Sequence, residues 1–199
     1  MRKDFDPADR SSGDFYRLMT AVIVPRPIAW VASTSADGVD NLAPHSLFTI
    51  SSTAPPIVQF TSVGTKDSLR NVLATREFTI NLAPESLFEQ INATGTDYPP
   101  DQSEFDAVGL TREPSRRVAV PRVAESPVAI ECELHHTVTF GTSTVVFGRV
   151  LHLAIAADAM ADDGLPAIDR LAPLARLGRN EWGATREVRS IERIRFRDL

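Results

Sequence analysis

Two long segments, residues 129–140 and 144–155, carry the clearest pattern in the sequence. In residues 129–140 polar and apolar side chains alternate, which is the period of a strand with one buried face. Residues 144–155 form a long apolar run, and Gly141 lies between the two segments, where the chain must turn. The two segments are therefore predicted to pair as a long antiparallel hairpin.

The other strand-like segments are short and are separated by turn residues. Asp37-Gly38 is a typical hairpin turn, and Pro44 indicates that its strand lies at an edge or contains a bulge. The predicted strands are residues 28–35, 41–50, 57–62, 77–82 and 188–196.

Helices are predicted to be fewer and peripheral. The helical segments are residues 14–22, 65–75, 84–91 and 167–177, the last divided by Pro173 and ended by Gly178 as C-cap. Strands dominate and pair mainly as hairpins. The predicted fold class is therefore mainly β, an antiparallel barrel with peripheral helices.

The length of 199 residues fits one domain, predicted to span residues 14–199. Residues 1–13 are polar without an apolar period and are predicted to be a mobile arm, with Asp14 capping the first helix. Residues 93–127 are rich in proline and glycine. They are predicted to form a surface excursion that arches over a neighbouring subunit or over the mouth of a site.

Composition excludes several classes of function. The net charge of −5 does not favour extended nucleic-acid binding. Cys132 is the only cysteine, which excludes an intramolecular disulfide and a cysteine metal cluster. His135 and His136 are adjacent, so on a strand they point to opposite faces and cannot chelate one metal ion. No apolar run is long enough for a membrane span or a signal peptide, so we expect a soluble cytoplasmic protein.

Hydrogen-bond donors, all neutral except Lys66, concentrate in two places, whereas the common catalytic motifs and nucleotide-binding glycine motifs are missing. The group at residues 61–68 lies where a strand leads into the helix at 65–75, a position that favours an anion. Two interpretations stay open here: a phosphate site, or ordinary helix capping beside a surface lysine. The two groups are Ser33, Thr34, Asn41, Ser46, Ser51 and Ser52, and Thr61, Ser62, Thr65, Lys66 and Ser68.

Four separated motifs resemble those of the flavin reductase-like family of FMN-binding split barrels. They are PRPIAWVAST (25–34), NLAPHSLF (41–48), KDSLRN (66–71) and EFTINL (77–82), and PLARLGRNEW (173–182) resembles a fifth. The resemblance covers residues 14–196 in order. It implies an antiparallel, Greek-key-like split barrel and a homodimer with FMN at the subunit interface.

The resemblance also implies roles for individual residues in FMN binding. Ser33 and Thr34 would lie along the flavin or its ribityl chain. The isoalloxazine would be lined by Asn41, Ala43, Pro44 and Ser46. The phosphate would be held by Thr61, Ser62, Lys66 and Ser68.

Three positions depart from the family pattern. His45 stands where an aromatic or small residue is common, Arg179 replaces a glycine, and Trp182 replaces a tyrosine. His45 and Arg179 are the substrate-side candidates, and Arg179 would attract a nicotinamide dinucleotide phosphate or an acidic substrate. We assign no catalytic residue and no metal ligand, which suits hydride transfer to a flavin because the cofactor carries that chemistry.

The function that the resemblance implies is an FMN-binding oxidoreductase in which NADH or NADPH reduces the flavin, with a monooxygenase or an electron-transfer protein as partner. Two alternatives remain: an FMN-carrying electron-transfer protein similar to flavoredoxins, and a non-catalytic FMN-binding module. The sequence predicts neither a nucleic-acid partner nor a membrane.

Overall fold

A computed structural model describes residues 1–196 as an antiparallel split barrel with small helices around it. Within that range no helix is long and apolar enough to cross a membrane. The helices are α1 (Ser12–Val22), α2 (Asp67–Thr75), α3 (Phe88–Ala93), α4 (Glu104–Val108) and α5 (Ile168–Leu171), with 3₁₀ turns at Pro7–Asp9, Glu85–Leu87 and Ala157–Ala159. The strands are β1 (Arg26–Pro27), β2 (Ala29–Thr34), β3 (Asp40–His45), β4 (Phe48–Thr53), β5 (Pro56–Val63), β6 (Glu77–Leu82), β7 (Arg112–Glu113), β8 (Arg122–Val123), β9 (Val128–Phe140), β10 (Ser143–Ile155), β11 (Leu174–Arg176) and β12 (Trp182–Ala184).

The main sheet has seven strands in the order β3-β2-β6-β9-β10-β5-β4, and every neighbouring pair is antiparallel. Its long β9–β10 hairpin confirms the pairing predicted from the alternation in residues 129–140. Successive strands β3 and β4 form opposite edges, and only Ser46 and Leu47 connect them. Two residues span roughly 10 Å at most. The sheet must therefore curl until its edges almost meet, which gives a barrel split between β3 and β4.

Two hydrophobic cores lie on the two faces of β2, because successive side chains of a strand point in opposite directions. Val31 packs inside the barrel with Phe60 and Phe78. Trp30 points outward and packs under the peripheral layer, where its indole N–H donates to Thr94 Oγ1 at 2.9 Å. Since β2 is buried on both faces, it is a fixed platform for the edge strand β3.

The interior of the barrel is packed closely at Gly148 on β10. A Cβ atom at this position would lie 2.3 Å from Cζ of Phe78 and 3.1 Å from Cβ of Cys132. The ladder between β9 and β10 also shifts register between Phe147 and Gly148. Glycine is therefore required here by close approach of the neighbouring strands.

The segment 93–127 is not the surface excursion that its composition predicts. It contains α4 and the β7–β8 hairpin, and its apolar side chains join the core around Trp30. Phe105 and Val120 are completely or almost completely buried. Burial of these side chains outweighs the lack of periodicity, so the segment is an outer layer of the core.

Several further boundaries differ from the sequence prediction, and the predicted strand 41–50 is divided into β3 and β4. Helix α1 begins at Ser12, inside the predicted arm, because Ser11 rather than Asp14 caps it. The predicted helix 167–177 ends at Leu171, and the left-handed residue after it is Ala172 (φ 40°) rather than Gly178. Pro173 disfavours helical backbone in the residue before it, so the chain turns and forms β11.

The prediction of a closing strand at 188–196 is wrong. Residues 188–195 lie in no strand, and Val188, Ile191 and Ile194 are exposed. A strand requires a partner edge, and none of the strands described within 1–196 pairs with this segment.

Candidate functional site

A cavity of about 220 Å³ lies at the split of the barrel. It is bounded by the end of β3, the end of β5, the N-terminus of α2 and the loop 94–97, with Tyr16 of α1 at its rim. The backbone N–H of Thr61 donates to the Leu47 carbonyl at 2.9 Å, which holds the β3–β4 connection against β5. Pro44 lies within β3, where it lacks an N–H to donate. That is tolerated because β3 is an edge strand, as predicted.

One end of the cavity is formed by the strand-to-helix junction of β5 and α2. Lys66 is the N-cap residue of α2, and no side chain within residues 1–196 accepts a hydrogen bond from the first turn. Capping by a side chain, one of the two interpretations of this segment, is therefore not observed among the described residues, and the first N–H groups of this nine-residue helix remain available to a ligand. The ammonium of Lys66 lies 3.0 Å from Oδ1 of Asp97, in an exposed ion pair at the rim.

The hydroxyl of Ser62 is already engaged at this end, since it donates to the Gly64 carbonyl at 2.9 Å. The hydroxyl of Ser68 donates to Asn41 Oδ1 at 3.0 Å. The groups available to a bound anion are therefore the N–H groups of the first turn of α2, the Lys66 ammonium and the Thr61 hydroxyl. This set consists of neutral donors with a single positive charge.

A buried polar network lies beneath the cavity floor. Asn41 donates from Nδ2 to Glu104 Oε1 at 2.9 Å, and the backbone N–H of Leu42 donates to Glu104 Oε2 at 2.9 Å. Both carboxylate oxygens thus hold the start of β3, although Glu104 lies 63 positions away from Asn41 in the sequence. Burial raises the pKa of Glu104, while the hydrogen bonds from Leu42 and Asn41 act in the opposite direction. The network fixes the orientation of Asn41, which lines the cavity.

His45 lies on the wall of the cavity between this network and the barrel interior. Its ring packs against Phe60 with 4.7 Å between ring centroids, and its Nε2 is 3.2 Å from Ser68 Oγ. Burial lowers the pKa of His45 from 6.5 to about 4; the Thr61 carbonyl opposes this shift and the charge of Lys66 adds to it. His45 is therefore neutral at neutral pH and offers one N–H donor and one acceptor.

The structure brings most of the predicted residues together. The residues of the predicted set that line the cavity are Asn41, Ala43, Pro44, His45, Ser46, Thr61, Ser62, Lys66 and Ser68. Ser33 and Thr34 do not line it. Ser33 is fully buried and accepts a hydrogen bond from Asn71 Nδ2, and Thr34 donates to Asp40 Oδ1 at 2.7 Å.

Arg179, the other substrate-side candidate, lies outside this cavity. It lines a second cavity of about 470 Å³, which shares Tyr16 and Ser46 with the first. A third cavity of about 240 Å³ contains Ser46, Pro44 and Trp182. Ser46 is therefore the point at which the three spaces meet.

Glu104, Tyr16 and the loop 94–97 were missed by the sequence analysis. Glu104 carries no signal in the sequence, because its partners lie on β3 and become neighbours only when α4 packs there. The loop 94–97 falls in the segment interpreted as surface. Tyr16 stands on a helix that was assigned no role in the site.

Solved structures share this fold along almost the whole chain. Nitrilotriacetate monooxygenase component B from Bacillus cereus is 29% identical, with a TM-score of 0.92, and the match covers 96% of this chain and 99% of the other. The 2-nitrobenzoate 2-nitroreductase NbaA from Pseudomonas fluorescens is 27% identical, with a TM-score of 0.90 and 98% of each chain covered.

The sequence also matches relatives and a family model. An uncharacterized protein of Aquifex aeolicus is 37% identical over 175 residues, which cover 84% of this chain and 89% of the relative. The model of the flavin reductase like domain matches residues 19–172, which include the strands of the barrel and the whole of the cavity apart from Tyr16. The chain is therefore a member of the flavin reductase-like domain family.

Proposed function

We propose that this protein binds FMN in the cavity at the split of the barrel and catalyses the reduction of that flavin by NADH or NADPH. The observation that carries the proposal is the uncapped N-terminus of α2 at one end of the cavity, beside Lys66 and Thr61. Free N–H groups and one lysine fit a phosphate monoester, because helix N-termini favour anions. The residues present thus fit FMN at its phosphate end.

The remainder of the cavity suits a flat polar ring. Its wall along β3 is formed by the small or compact residues Ala43, Pro44 and Ser46, with neutral His45 beside them. Asn41, held by Glu104 and Ser68, presents a fixed amide at the floor. Side chains held by a second layer of contacts keep a bound cofactor in one orientation.

When bound, FMN supplies the two-electron redox chemistry, so the protein need not provide a catalytic acid or base. The α2 N-terminus and Lys66 would hold the phosphate, and Asn41 and Ser46 would orient the ring. His45 acts as a hydrogen-bonding neighbour rather than as a cation, because its pKa of about 4 keeps it neutral at neutral pH. Packing of the Phe60 ring on His45 keeps water away from that side of the cavity.

Two similar structures support an oxidoreductase. One is named as a component of a monooxygenase and the other as a nitroreductase. We therefore extend the proposal to a redox partner, a monooxygenase or another electron acceptor, that takes electrons from the reduced flavin.

We also propose that the protein is a homodimer with the flavin site at the subunit interface. No residue of α1 is buried, and its apolar Met19 and Val22, together with Ile23 just after it, are 42%, 75% and 62% exposed. Tyr16 of the same helix lies at the rim of the cavity. A second copy covering this apolar surface would also enclose the site. Mass measurement in solution tests this, and a monomer that retains FMN contradicts it.

Anaerobic stopped-flow mixing tests the proposed reaction. The FMN-loaded protein is mixed with NADH and separately with NADPH, while absorption of the oxidised flavin at about 450 nm is recorded. We expect at least one donor to bleach the band, with saturation as donor concentration rises. If neither donor bleaches it and a redox partner protein does, the protein is an electron carrier. If nothing bleaches it, the protein is a binding module.

A further inference from the structure

The second cavity, which adjoins the proposed flavin site at Ser46, has an unusual charge. Four of its eight lining residues are arginines and the other four are uncharged. The arginines come from three parts of the chain: Arg17 on α1, Arg26 on β1, and Arg176 and Arg179 on β11 and the turn after it. The whole chain has a net charge of −5, so this concentration of positive charge is local.

Within residues 1–196 the two inner arginines contact carbonyls, the Ser46 hydroxyl and a ring rather than carboxylates. Arg26 is 7% exposed and donates to the carbonyls of Thr20, Ile23 and Leu177, the last two at 2.9 and 2.8 Å. Arg176 lies over the Trp182 ring, 4.5 Å from its centroid. It also donates to the carbonyl of Arg179 at 3.2 Å, and its other guanidinium N–H groups have no hydrogen-bond partner among the described residues 1–196.

The outer arginines are exposed and only loosely paired. Arg17 lies 3.8 Å from Asp14, with its side chain 85% exposed. Arg179 lies 3.4 Å from Glu181, with its side chain 86% exposed, and its backbone has φ 56°. Exposed pairs of this kind contribute little to stability, so both side chains are available to turn toward a ligand.

Two positive charges next to each other in a half-buried space are costly unless an anion joins them. Burial lowers the pKa of Arg176, and the charge of Arg26 lowers it further. The donors of Arg26 are directed at three backbone carbonyls and at the hydroxyl of Ser46, so Arg26 contributes charge and positions the turn. Arg176 lines both this cavity and the third one, so its guanidinium lies where the two spaces adjoin. An oxyanion bound there would gain charge-assisted hydrogen bonds.

We propose that this cavity binds the oxyanion of the molecule that exchanges electrons with the flavin, with Arg176 as the principal contact and Arg17 and Arg179 at the rim. The inference rests on the proposed flavin site in the adjoining cavity. A ligand whose phosphate or carboxylate lies at Arg176 can extend past Ser46 toward the flavin ring. Two sources supply this chemistry: the phosphates of a nicotinamide dinucleotide, and the carboxylate of an organic acid.

The test uses FMN-loaded protein and an Arg176→Met variant, which keeps an unbranched apolar side chain over Trp182 and removes the charge. Arg176→Lys restores the charge. Arg149→Gln is the matched control, since Arg149 pairs with Glu133 on the surface of the sheet and lines none of these cavities. Half-saturation is measured for flavin bleaching by NADH and by NADPH. The shift of the flavin spectrum is titrated with benzoate and with uncharged benzamide.

We expect Arg176→Met to raise the half-saturation concentration by roughly tenfold or more for at least one anion, since a charge-assisted contact is lost. Benzamide titrations and the Arg149→Gln control should be unchanged, and Arg176→Lys should recover much of the loss. An effect on both dinucleotides identifies their phosphates as the ligand group, and an effect on benzoate identifies a carboxylate. Where Arg176→Met does not fold, Arg179→Gln is expected to show the same selectivity with a smaller effect.

The results that would overturn the anion site differ from those that would overturn the flavin reductase activity. If NADH or NADPH bleaches the flavin and Arg176→Met leaves every anion within about twofold of the Arg149→Gln control, the anion site is overturned and the reductase stands. If neither donor bleaches the flavin but benzoate shifts its spectrum in an Arg176-dependent way, the anion site stands without the reductase. Wild-type protein that responds to none of the three anions overturns the site.

Discussion

The first and second cavities meet at Ser46, and the two ends of this combined space differ in charge and in the segments that form them. The end at β5 and α2 is made by one short stretch, residues 61–68, and carries free N–H groups with a single lysine. The other end is the second cavity, beyond Ser46, and four arginines line it. A hydrogen bond between Arg26 and the Leu177 carbonyl, 151 positions apart, joins its walls. The first end depends on a local strand-to-helix junction, whereas the second depends on the packing of distant segments.

This difference separates two tasks. A junction of neutral donors recognises a small phosphate at moderate cost, because the helix N-terminus provides its partial charge without burying an ion. Four arginines produce a stronger field that extends further, which suits a mobile reaction partner that must arrive and leave. A change at the arginine end can therefore alter the choice of reaction partner while the phosphate end is left intact.

The largest expected effect is at the phosphate end. Lys66→Ala combined with Ser68→Ala should weaken FMN binding by roughly 2–4 kcal/mol, because a charge-assisted contact is lost and Asn41 and His45 lose their shared partner. Equilibrium titration of the flavin-free protein with FMN measures this. Unchanged FMN affinity would remove the phosphate site from the proposal.

Riboflavin, which lacks the phosphate, supplies the control for that variant. Lys66→Ala alone should weaken FMN binding and leave riboflavin binding unchanged, because Lys66 lies at the N-terminus of α2, where the phosphate is proposed to bind. An equal loss for both flavins would place Lys66 beside the ring and would abolish the distinction between the two ends.

His45 lies between the two ends, and its titration gives the next largest effect. The unfolded chain takes up a proton near pH 6.5, whereas the pKa of His45 in the folded protein is about 4. Stability from this residue is therefore constant at neutral pH and falls as the pH drops from 6.5 toward 4. The loss is about 2 kcal/mol at about pH 5.

Urea unfolding of flavin-free protein at about pH 7 and about pH 5 measures that loss. Wild type should lose about 2 kcal/mol more than His45→Gln between the two conditions. His135→Gln, at an exposed position of β9, is the control and should behave like wild type. If the wild type and His45→Gln lost the same free energy of unfolding, His45 would be hydrated and water would reach this side of the cavity.

A substitution of Glu104 tests whether its hydrogen bonds to Asn41 and Leu42, beneath the first cavity, contribute to FMN binding. Glu104→Gln places an amide NH₂ against one of two donors, Asn41 Nδ2 or the Leu42 N–H, so one hydrogen bond is lost. The expected cost is about 1–2 kcal/mol of unfolding free energy, with a severalfold weaker FMN affinity. Glu125→Gln is the matched control, because Glu125 also accepts a backbone N–H but is exposed and outside the cavity. Equal behaviour of the two variants in FMN titrations contradicts a supporting role for Glu104.

The contrast between local and distant construction also explains how much could be predicted from the sequence. The antiparallel barrel was predicted from the period of the strands, whereas its split form and the roles of nine residues that line the cavity came from the resemblance to the flavin reductase-like family. The placement of Ser33 and Thr34 along the flavin stays a prediction. Ser33 accepts a hydrogen bond from Asn71 and Thr34 donates one to Asp40, and neither contact has a local signal in the sequence.

The parts that could not be predicted depend on tertiary packing. Glu104 holds Asn41 only because α4 packs on β3, and the buried side chains of the segment 93–127 show no periodicity in the sequence. Arg179 was identified as a substrate-side candidate, but Arg176 was not, because its position beside Arg26 depends on the pairing of β1 with β11.

A substitution of Asp97 is expected to have the smallest effect on FMN affinity, and it tests the charge of Lys66 at the phosphate end. Its carboxylate lies 3.0 Å from the Lys66 ammonium and would compete with a bound phosphate for that charge. Its side chain is 88% exposed, so the competition is weak and screened by salt. Asp97→Asn should therefore tighten FMN binding by about twofold at low salt, with no change for riboflavin. The gain should vanish at high salt, and Asp162→Asn, an exposed turn residue, should show none. Weaker FMN binding in Asp97→Asn would mean that Asp97 positions Lys66 for the phosphate, and the single charge at this end would then depend on a partner in the loop 94–97.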